Sequence, residues 1–402
     1  MSARTLPEGC SIRGATPDEI PAVTASLESV FIAPREFFLA RYRHYPGALA
    51  EHSRLVVRGK EYVAHQRLYR HDLGFAGSSV RAWAVGDVCT SEGQRRMGLG
   101  FALLEDCIRY VRAQGAALCL IRAGLHDFYC QAGWEIMPLP ACRVDPKAFP
   151  LERLGAPGYL TRTFEPERDL WAVAEVHRRF NVGRSLVRQR DGHFWARMHL
   201  WCPWQQGLGF QVAERDGSVV AYGRMWDSRL GELCYLPGHE QGAAAVLASF
   251  LRWAHGGQGC TVHLALPADH ALWPALAGLP GVETHEGRAT LMRLVSLRAL
   301  FEQTLDGLSA RLCAASHGLA GPVTIRCQGE EVTLAPRSGC LSLSDTRASR
   351  VAELSQQQLL HLGAGLAHPS ELLAGQVSED VCTDLSALFP PGNPIYWNAD
   401  SV

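Results

Sequence analysis

Two arginines and two glycines lie close together in the first third of the chain, in the order Arg95, Arg96, Gly98 and Gly100. These residue types could bind a diphosphate, because glycine has no Cβ and lets an anion approach the backbone closely. An amphipathic helix is predicted to begin at Leu99, and its first N–H groups and its dipole would also attract negative charge. The spacing alone fits an ordinary strand–turn–helix connection with solvated arginines equally well.

The elements that must position this segment occur in a recognisable order. An apolar strand is predicted over 83–88, the helix over 99–114 and a second apolar strand over 117–121, followed by the segment from Phe128 to Trp134 with Tyr129 and Gly133. Across residues 10–137 this order resembles the GNAT acetyltransferase superfamily, which implies acetyl-CoA as the co-substrate. The resemblance assigns cofactor binding to Val88, Cys89, Thr90, Arg95, Arg96, Met97, Gly98, Leu99 and Gly100. By position, the main chain of the first three would pair with pantetheine as an added strand, and the backbone from 95 to 100 would hold the diphosphate.

Acetyl transfer to an amine requires that the amine lose a proton and that the departing sulfur gain one. An alkylamine with a pKa near ~10 is neutral in only about one molecule in a thousand at physiological pH, which costs ~4 kcal/mol. A positioned general base typically contributes ~10²–10⁴-fold to the rate. The resemblance places Tyr129 at the general-acid position, with its hydroxyl facing the thioester. The alternative role for Tyr129 is a packing aromatic beside Phe128.

Two further blocks follow. Residues 162–297 repeat the order of the first block, but the corresponding loop, 237–243, has no arginine. We interpret this block as a second GNAT-like fold that has lost its cofactor loop; an unrelated α+β domain is the alternative. In the last block, the segments 355–365 and 389–391 resemble the sterol-carrier-like terminal domain of enhanced-intracellular-survival (Eis) type acetyltransferases.

This resemblance implies an α/β (α+β) architecture of tandem GNAT-like mixed sheets flanked by helices, plus a C-terminal sterol-carrier-like α+β domain. The expected boundaries are 1–140 for the catalytic GNAT domain, 141–298 for the degenerate one and 299–402 for the sterol-carrier-like domain. Residues 138–160 are rich in proline and glycine, which predicts a linker. Some members of the group are hexamers, which implies a homo-oligomer that is a hexamer or smaller.

Two groups are candidates for the base. In the Eis group the C-terminal carboxylate enters the active site, which implies this role for Val402, although valine replaces the usual aromatic residue; a frayed terminus is the alternative. Asp87 is a carboxylate in an otherwise apolar strand, and buried charges are rarely left unpaired. It would bind a substrate ammonium, accept a proton, or pair structurally with Arg81 or Arg122.

The candidate substrate residues are Glu28, Phe31 and Phe37, on the predicted helices 18–30 and 34–42, which close the acceptor side in GNAT folds. An acid with aromatic rings would suit a polycationic amine; a solvated glutamate and two core phenylalanines are the alternative. Members of the Eis group acetylate aminoglycosides and some acetylate lysines. We therefore expect direct acetyl transfer to a primary amine of a small molecule, an aminoglycoside or a polyamine-like metabolite. The alternatives are a protein lysine acetyltransferase and a non-catalytic acyl-CoA or lipid-binding protein.

Composition narrows the function classes. The 402 residues include 47% apolar and 20% charged residues, with a formal net charge of −1. This is typical of a globular protein rather than a nucleic-acid binder or a polybasic membrane surface. The 13 cysteines show no C-x-x-C pairing and suggest reduced thiols. The start has no signal-peptide pattern, so we expect a cytoplasmic protein. No spacing of histidines and cysteines fits a metal site, so we expect no metal.

Overall fold

Strands and helices alternate along the chain. The computed structural model describes residues 6–31, 33–201, 209–226, 228–257, 260–315, 318–337 and 340–401. The strands are β1 (Cys10–Gly14), β2 (Ser53–Arg58), β3 (Glu61–Phe75), β4 (Ser78–Thr90), β5 (Leu118–Arg122), β6 (Glu135–Ile136), β7 (Leu139–Val144), β8 (Leu160–Thr163), β9 (Phe210–Arg215), β10 (Ser218–Trp226), β11 (Arg229–Tyr235), β12 (Val262–Ala265), β13 (Val282–Gly287), β14 (Thr290–Leu294), β15 (Val323–Cys327), β16 (Glu330–Arg337), β17 (Cys340–Ser344) and β18 (Val351–Glu353). The helices are α1 (Ile20–Val30), α2 (Arg35–His44), α3 (Leu99–Ala113), α4 (His126–Gln131), α5 (Pro166–Phe180), α6 (Gly192–Trp201), α7 (Glu240–Gly257), α8 (Trp273–Leu276), α9 (Leu297–Ala314), α10 (Gln356–Ala364), α11 (Pro369–Leu372) and α12 (Glu379–Leu388). Among the described residues, no helix is both long and apolar enough to cross a bilayer.

The first sheet has the strand order β1-β2-β3-β4-β5-β14-β6. Its long hairpin β3–β4 turns at Ala76 and Gly77, which have positive φ values of 49° and 80°. A two-residue turn between twisted strands requires this conformation. After β4, helix α3 carries the chain over to β5, which pairs parallel to β4, as a crossover connection allows. This sheet therefore contains the strand–loop–helix–strand unit that the sequence predicts.

The second sheet has the order β13-β7-β12-β11-β10-β9-β8. Its core strands repeat the plan of the first sheet, because β9, β10 and β11 pair antiparallel, α7 crosses over and β12 pairs parallel to β11. The apolar face of α7 packs in this core through Val246, Leu247 and Phe250. The repeat predicted for residues 162–297 is thus present in the fold.

The two sheets exchange strands. β7 follows the first block in sequence but pairs with β12 and β13 in the second sheet, and β14 follows the second block but pairs with β5 and β6 in the first. The prediction of a linker over 138–160 is therefore wrong for its first part, since Cys142 and Val144 of β7 are fully buried. Pro138 and Pro140 hid this strand, because proline weakens a strand pattern.

The third unit packs against the first. Its sheet has the order β17-β16-β15-β18, and α9 lies against β4, β16 and β17. Ser355 caps helix α10: its hydroxyl accepts the Gln358 N–H at 3.1 Å, and the Gln358 side chain accepts the Ser355 N–H at 2.8 Å, a reciprocal cap. One apolar cluster joins β4 residues to this unit, through Val80, Phe301 and Leu360 among others. The three units therefore form one packed molecule.

Candidate active site

Strands β4 and β5 separate at the point where β4 has a bulge. They pair from Ala82 with Leu118 to Val85 with Ile121. Beyond Val85, β4 continues beside β3 only, and its register shifts around Asp87, which has a φ of 51°, as a bulged strand does. Residues 88–90 are half-buried and have no strand beside them on the β5 side among the described residues. This is an open edge to which an extended ligand can add as a strand.

The glycine-containing loop connects this edge to α3. Arg96 and Gly98 have positive φ values of 65° and 77°, and Gly98 stands at the N-terminus of α3 with no side chain to cap it. A Cβ built on Gly98 would meet nothing within 4 Å, so the space beside the loop is open. The side chains of Arg95, Arg96 and Met97 are exposed. An anion can therefore reach the first turn of the helix, where backbone N–H groups lack partners within the helix.

One backbone N–H in the predicted diphosphate-binding range, 95–100, already has a hydrogen-bond partner. The N–H of Arg95 donates to the carbonyl of Glu92 at 3.3 Å, and its Nε donates to the carbonyl of Thr90 at 3.3 Å. Arg95 thus closes the turn, and the open space of the loop lies beside Gly98.

Helix α4 packs directly on the first turn of α3. A Cβ built on Gly100 would lie 3.0 Å from Cζ of Phe128, and the rings of Phe101 and Phe128 are 4.7 Å apart. The next residue, Tyr129, belongs to the same apolar cluster as Val85, the last residue of β4 that pairs with β5. The loop, the strand edge and Tyr129 are therefore held together by one set of contacts.

Tyr129 is 6% exposed, and burial raises the pKa of its hydroxyl to about 12. Within the described part of the chain, this hydroxyl has no hydrogen-bond partner, whereas the Tyr129 backbone N–H donates to Leu125. The hydroxyl is thus protonated and free to donate at neutral pH.

Asp87 is half-buried and accepts a hydrogen bond from the hydroxyl of Tyr69 at 2.7 Å. It pairs with neither Arg81 nor Arg122: the guanidinium of Arg81 donates to the carbonyl of Gln114 at 2.8 Å. The alternative of a structural ion pair for Asp87 is therefore wrong. Because burial raises the pKa of Tyr69 well above its usual value, Tyr69 stays a donor and stabilises the Asp87 carboxylate.

The C-terminal segment is anchored through Ser401. Residues 396–400 are buried; the Trp397 indole donates to Asn181 at 3.0 Å, and Asp400 pairs with the fully buried Arg190 at 3.0 Å. The described tail is therefore not frayed. Val402, the predicted base, lies outside the described residues.

A cavity of about 820 Å³ lies between the two exchanged sheets. It is bounded by the end of β5 and the start of α4, by β7, β11 and β12, by the β13–β14 connection and by the C-terminal segment, so that Arg122, His126, Trp226, His263, Tyr396 and Ser401 are among its lining residues. His126 lies one turn before Tyr129 on α4, and its Nε2 is buried without a partner. The cavity therefore reaches the helix that carries Tyr129.

The three predicted substrate residues differ in how close they lie to the cavity. Glu28 is exposed, and its carboxylate accepts the N–H of Arg35 at 2.9 Å, which caps α2. The Phe31 ring packs 5.9 Å from Phe38. Phe37 lies 5.9 Å from the ring of Trp226 and therefore supports the cavity wall. Neither Glu28 nor Phe31 lines the cavity.

Sequence reasoning missed several cavity residues. His126 could have been found, because its three-residue spacing from Tyr129 places both on one helix face. Arg41, Arg229 and Arg288 also line the cavity. No local signal distinguishes them, since they are brought together only by contacts between α2, β11 and the β13–β14 connection.

The second unit has no comparable loop. The carboxylate of Glu240 accepts the N–H of Gly238 at 3.1 Å, so a side chain of the protein occupies the position of an anion at the N-terminus of α7. A Cβ on Gly242 would lie 3.0 Å from Ala221, which leaves little space there. The loss of the cofactor loop in this block stays a prediction.

The sequence was compared with family models and with curated proteins. Residues 11–137 match the family model described as an acetyltransferase (GNAT) domain. Sequence comparison with curated proteins finds no significant match.

Solved structures share the fold over nearly the whole chain. A probable N-acyltransferase from Enterococcus faecalis has a TM-score of 0.71 at 14% identity, covering 96% of this chain and 98% of its own. A GCN5-related N-acetyltransferase from Kribbella flavida has a TM-score of 0.65 at 15% identity, with the same coverage of 96% and 98%. Eis1 from Mycobacterium abscessus has a TM-score of 0.58 at 16% identity, covering 97% and 99%. Residues 11–137 thus match a GNAT acetyltransferase domain, and the chain shares the fold of these solved structures.

Proposed function

We propose that this protein is an acetyl-CoA-dependent N-acetyltransferase that transfers the acetyl group directly to a primary amine of a small molecule. The observation that carries the proposal is the packing of Tyr129, the open β4 edge and the Gly98–Gly100 loop around one point. Pantetheine would add to the edge at residues 88–90, and the pyrophosphate would lie at the first turn of α3. This brings the thioester to the separation of β4 and β5.

Tyr129 acts on the leaving sulfur. With a pKa of about 12, complete proton transfer from Tyr129 to a thiolate whose thiol has a pKa near ~8.5 would cost roughly 5 kcal/mol. We therefore assign it a hydrogen bond to the sulfur as negative charge develops there, in a site with little competing water. The proton released by the amine then neutralises the thiolate.

Direct transfer is favoured over an acetyl-cysteine intermediate. Cys89 is the thiol on the β4 edge, and burial, with Asp87 nearby, raises its pKa to about 12. At neutral pH only about one molecule in ~10⁵ would carry the thiolate, which is the reactive form. The amine therefore attacks the thioester itself.

Three groups are proposed as acceptors of the amine proton: Asp87, His126 and the carboxylate of Val402. Asp87→Asn, His126→Gln and a C-terminal extension by two glycines, which displaces the carboxylate, separate them. The change that removes the acid limb of the profile of kcat/KM against pH identifies the base.

The test is thiol release from acetyl-CoA in the presence of a panel of primary amines and lysine peptides, with mass spectrometry of the products. We expect amine-dependent release and an N-acetylated small molecule. Release with peptides alone would favour a protein lysine acetyltransferase. Tight CoA binding without release under any condition would favour a non-catalytic acyl-CoA-binding protein and contradict the proposal.

A further inference from the structure

The cavity that reaches α4 through His126 has an excess of positive charge in its lining. Its described lining includes the four guanidinium groups of Arg41, Arg122, Arg229 and Arg288 but a single carboxylate, Glu286. His126, His263 and His285 also line it, and they add positive charge whenever they are protonated. The whole chain has a formal net charge of only −1, so this excess of positive charge is local.

Among the described residues, the side chains of these arginines have no counterion. In the described part of the chain, none of the four guanidinium groups forms an ion pair or a hydrogen bond; Arg41 lies over the ring of Phe37, with its carbon 3.8 Å from the centroid, and its Nε and Nη1 are buried without partners. Burial, with neighbouring Arg229 acting in the same direction, lowers the pKa of Arg122 to about 10. Arg122 is still a cation at neutral pH. Its charge is therefore maintained at a free-energy cost that an anion would relieve.

Some arginines elsewhere in the chain form ion pairs with carboxylates. The fully buried Arg190 pairs with Asp400 and Glu232, and Arg162 pairs with Asp169 at 2.6 Å. The buried Arg67 and Arg188, by contrast, form no ion pair in the described part of the chain and lie over the rings of Tyr42 and Phe194. The four cavity arginines also lack a carboxylate partner among the described residues, and a single lining carboxylate, Glu286, leaves an excess of positive charge that an anionic ligand would balance.

The position of this set defines what it can bind. Arg122 ends β5, next to the separation from β4, and Arg229 begins β11 on the opposite wall. Building on the proposed function, we propose that the acetyl acceptor is an amine that also carries a carboxylate or phosphate group, which Arg122 and Arg229 bind. Guanidinium groups match both anions with paired hydrogen bonds. A polycationic acceptor would instead bring ammonium groups against uncompensated guanidinium groups.

A matched series of six-carbon amines tests this proposal. The probes are ε-aminocaproate, aminohexyl phosphate, hexylamine and hexamethylenediamine, with kanamycin as a polycation, and the readouts are thiol release and product mass. We expect kcat/KM to be highest for one of the two anionic amines, lower for hexylamine and lowest for the diamine and kanamycin. The two anionic probes distinguish a carboxylate from a phosphate acceptor.

Variants connect this preference to the arginines. Arg122→Gln and Arg229→Gln should lower kcat/KM for the preferred anionic amine by about 10–100-fold, the effect of losing a charged hydrogen bond, while hexylamine changes little. Arg347→Gln, at an exposed arginine of the third unit, is the matched control and should change neither. Since Arg122 is an unpaired charge, Arg122→Gln should keep or raise the Tm, whereas a structural role would lower it.

The outcomes are distinguishable. A preference for hexamethylenediamine or kanamycin would overturn the acceptor class and leave the N-acetyltransferase function in place. If Arg122→Gln weakened CoA affinity instead of raising the acceptor KM, the arginines would serve the cofactor and the proposal would fail. No release with any amine or peptide would overturn the proposed function and this inference together.

Discussion

At the scale of single residues, the site depends on groups that are left without partners. Tyr129 is buried and its hydroxyl has no acceptor among the described residues, and Gly98 leaves the start of α3 uncapped. Both groups lie at the open side of the first sheet, where a bound ligand can use them. The sequence predicted both residues because their motif is local, spanning 95–134.

Replacement of Tyr129 by Phe removes only the hydroxyl. We expect kcat to fall by about 10²–10³-fold, the usual effect of losing one donor to developing charge, with CoA affinity kept. Steady-state thiol release and CoA titration measure the two quantities. Tyr110→Phe is the matched control, because its hydroxyl binds Glu51 at 2.8 Å further along α3.

The pH profile gives a second test of Tyr129. Because burial raises its pKa to about 12, it stays protonated across the usable range and should add no basic limb below about pH 10. A basic limb in that range that disappears in Tyr129→Phe would show that Tyr129 titrates near neutrality and would contradict the assigned role.

At the scale of elements, the contact between α3 and α4 sets the position of Tyr129. Gly100 lets Phe128 lie on the first turn of α3, and Tyr129 follows on the same short helix. The β4 bulge at Asp87 opens the strand edge on the other side of the site. The site therefore requires glycine at position 100 because of close packing, in addition to any contact with the diphosphate.

Gly100→Ala should displace Phe128, since the new Cβ would lie 3.0 Å from Cζ of that ring. We expect a loss of about 1–3 kcal/mol in unfolding free energy and a larger fractional loss in kcat than in CoA affinity. Thermal unfolding and kinetics measure both. If the double variant Gly100→Ala/Phe128→Leu recovered no activity, the contact would not be the cause.

Individual helices and strands could be predicted from the sequence, but the pairing of some strands could not. Helices α1, α2 and α3 and strand β5 lie within a few residues of their predicted ranges, because hydrophobic periodicity and caps are local. The exchange of β7 and β14 could not be predicted, since each strand pairs with partners from the other block. The charge of the cavity could not be predicted either, because its arginines are far apart in sequence and come together only in the fold.

At the scale of the whole molecule, strand exchange and the buried tail join the units, and histidines such as His177 and His270 are buried in the second unit. Burial lowers the pKa of His270 to about 4 and holds that of His177 well below its usual value. Neutral His270 uses both ring nitrogens: Nε2–H donates to Leu233, and Nδ1 accepts the N–H of Leu272. A protonated ring would have no acceptor left for the second contact.

These histidines predict acid sensitivity. A folded pKa below the unfolded one means that the unfolded chain binds more protons, so stability falls as pH drops from about 6.5 toward 4. For His270 alone we expect a loss of about 2 kcal/mol between pH 7 and 5. Thermal unfolding across this range measures it, and His270→Gln should flatten the slope, whereas the exposed His193→Gln should not. An unchanged slope in His270→Gln would contradict the assignment.

The central claim is that the first turn of α3 binds the pyrophosphate of CoA, and calorimetric titration of CoA tests it most directly. Gly98→Ala places a Cβ in the open space beside the loop and carries a positive-φ cost of about 1–2 kcal/mol. Gly93→Ala, where a Cβ also meets nothing within 4 Å but φ is not positive, is the matched control. We predict one CoA per chain, affinity at least about tenfold weaker in Gly98→Ala, and no change in Gly93→Ala. Absence of CoA binding to the unmodified protein, or equal affinity in Gly98→Ala, would contradict the account.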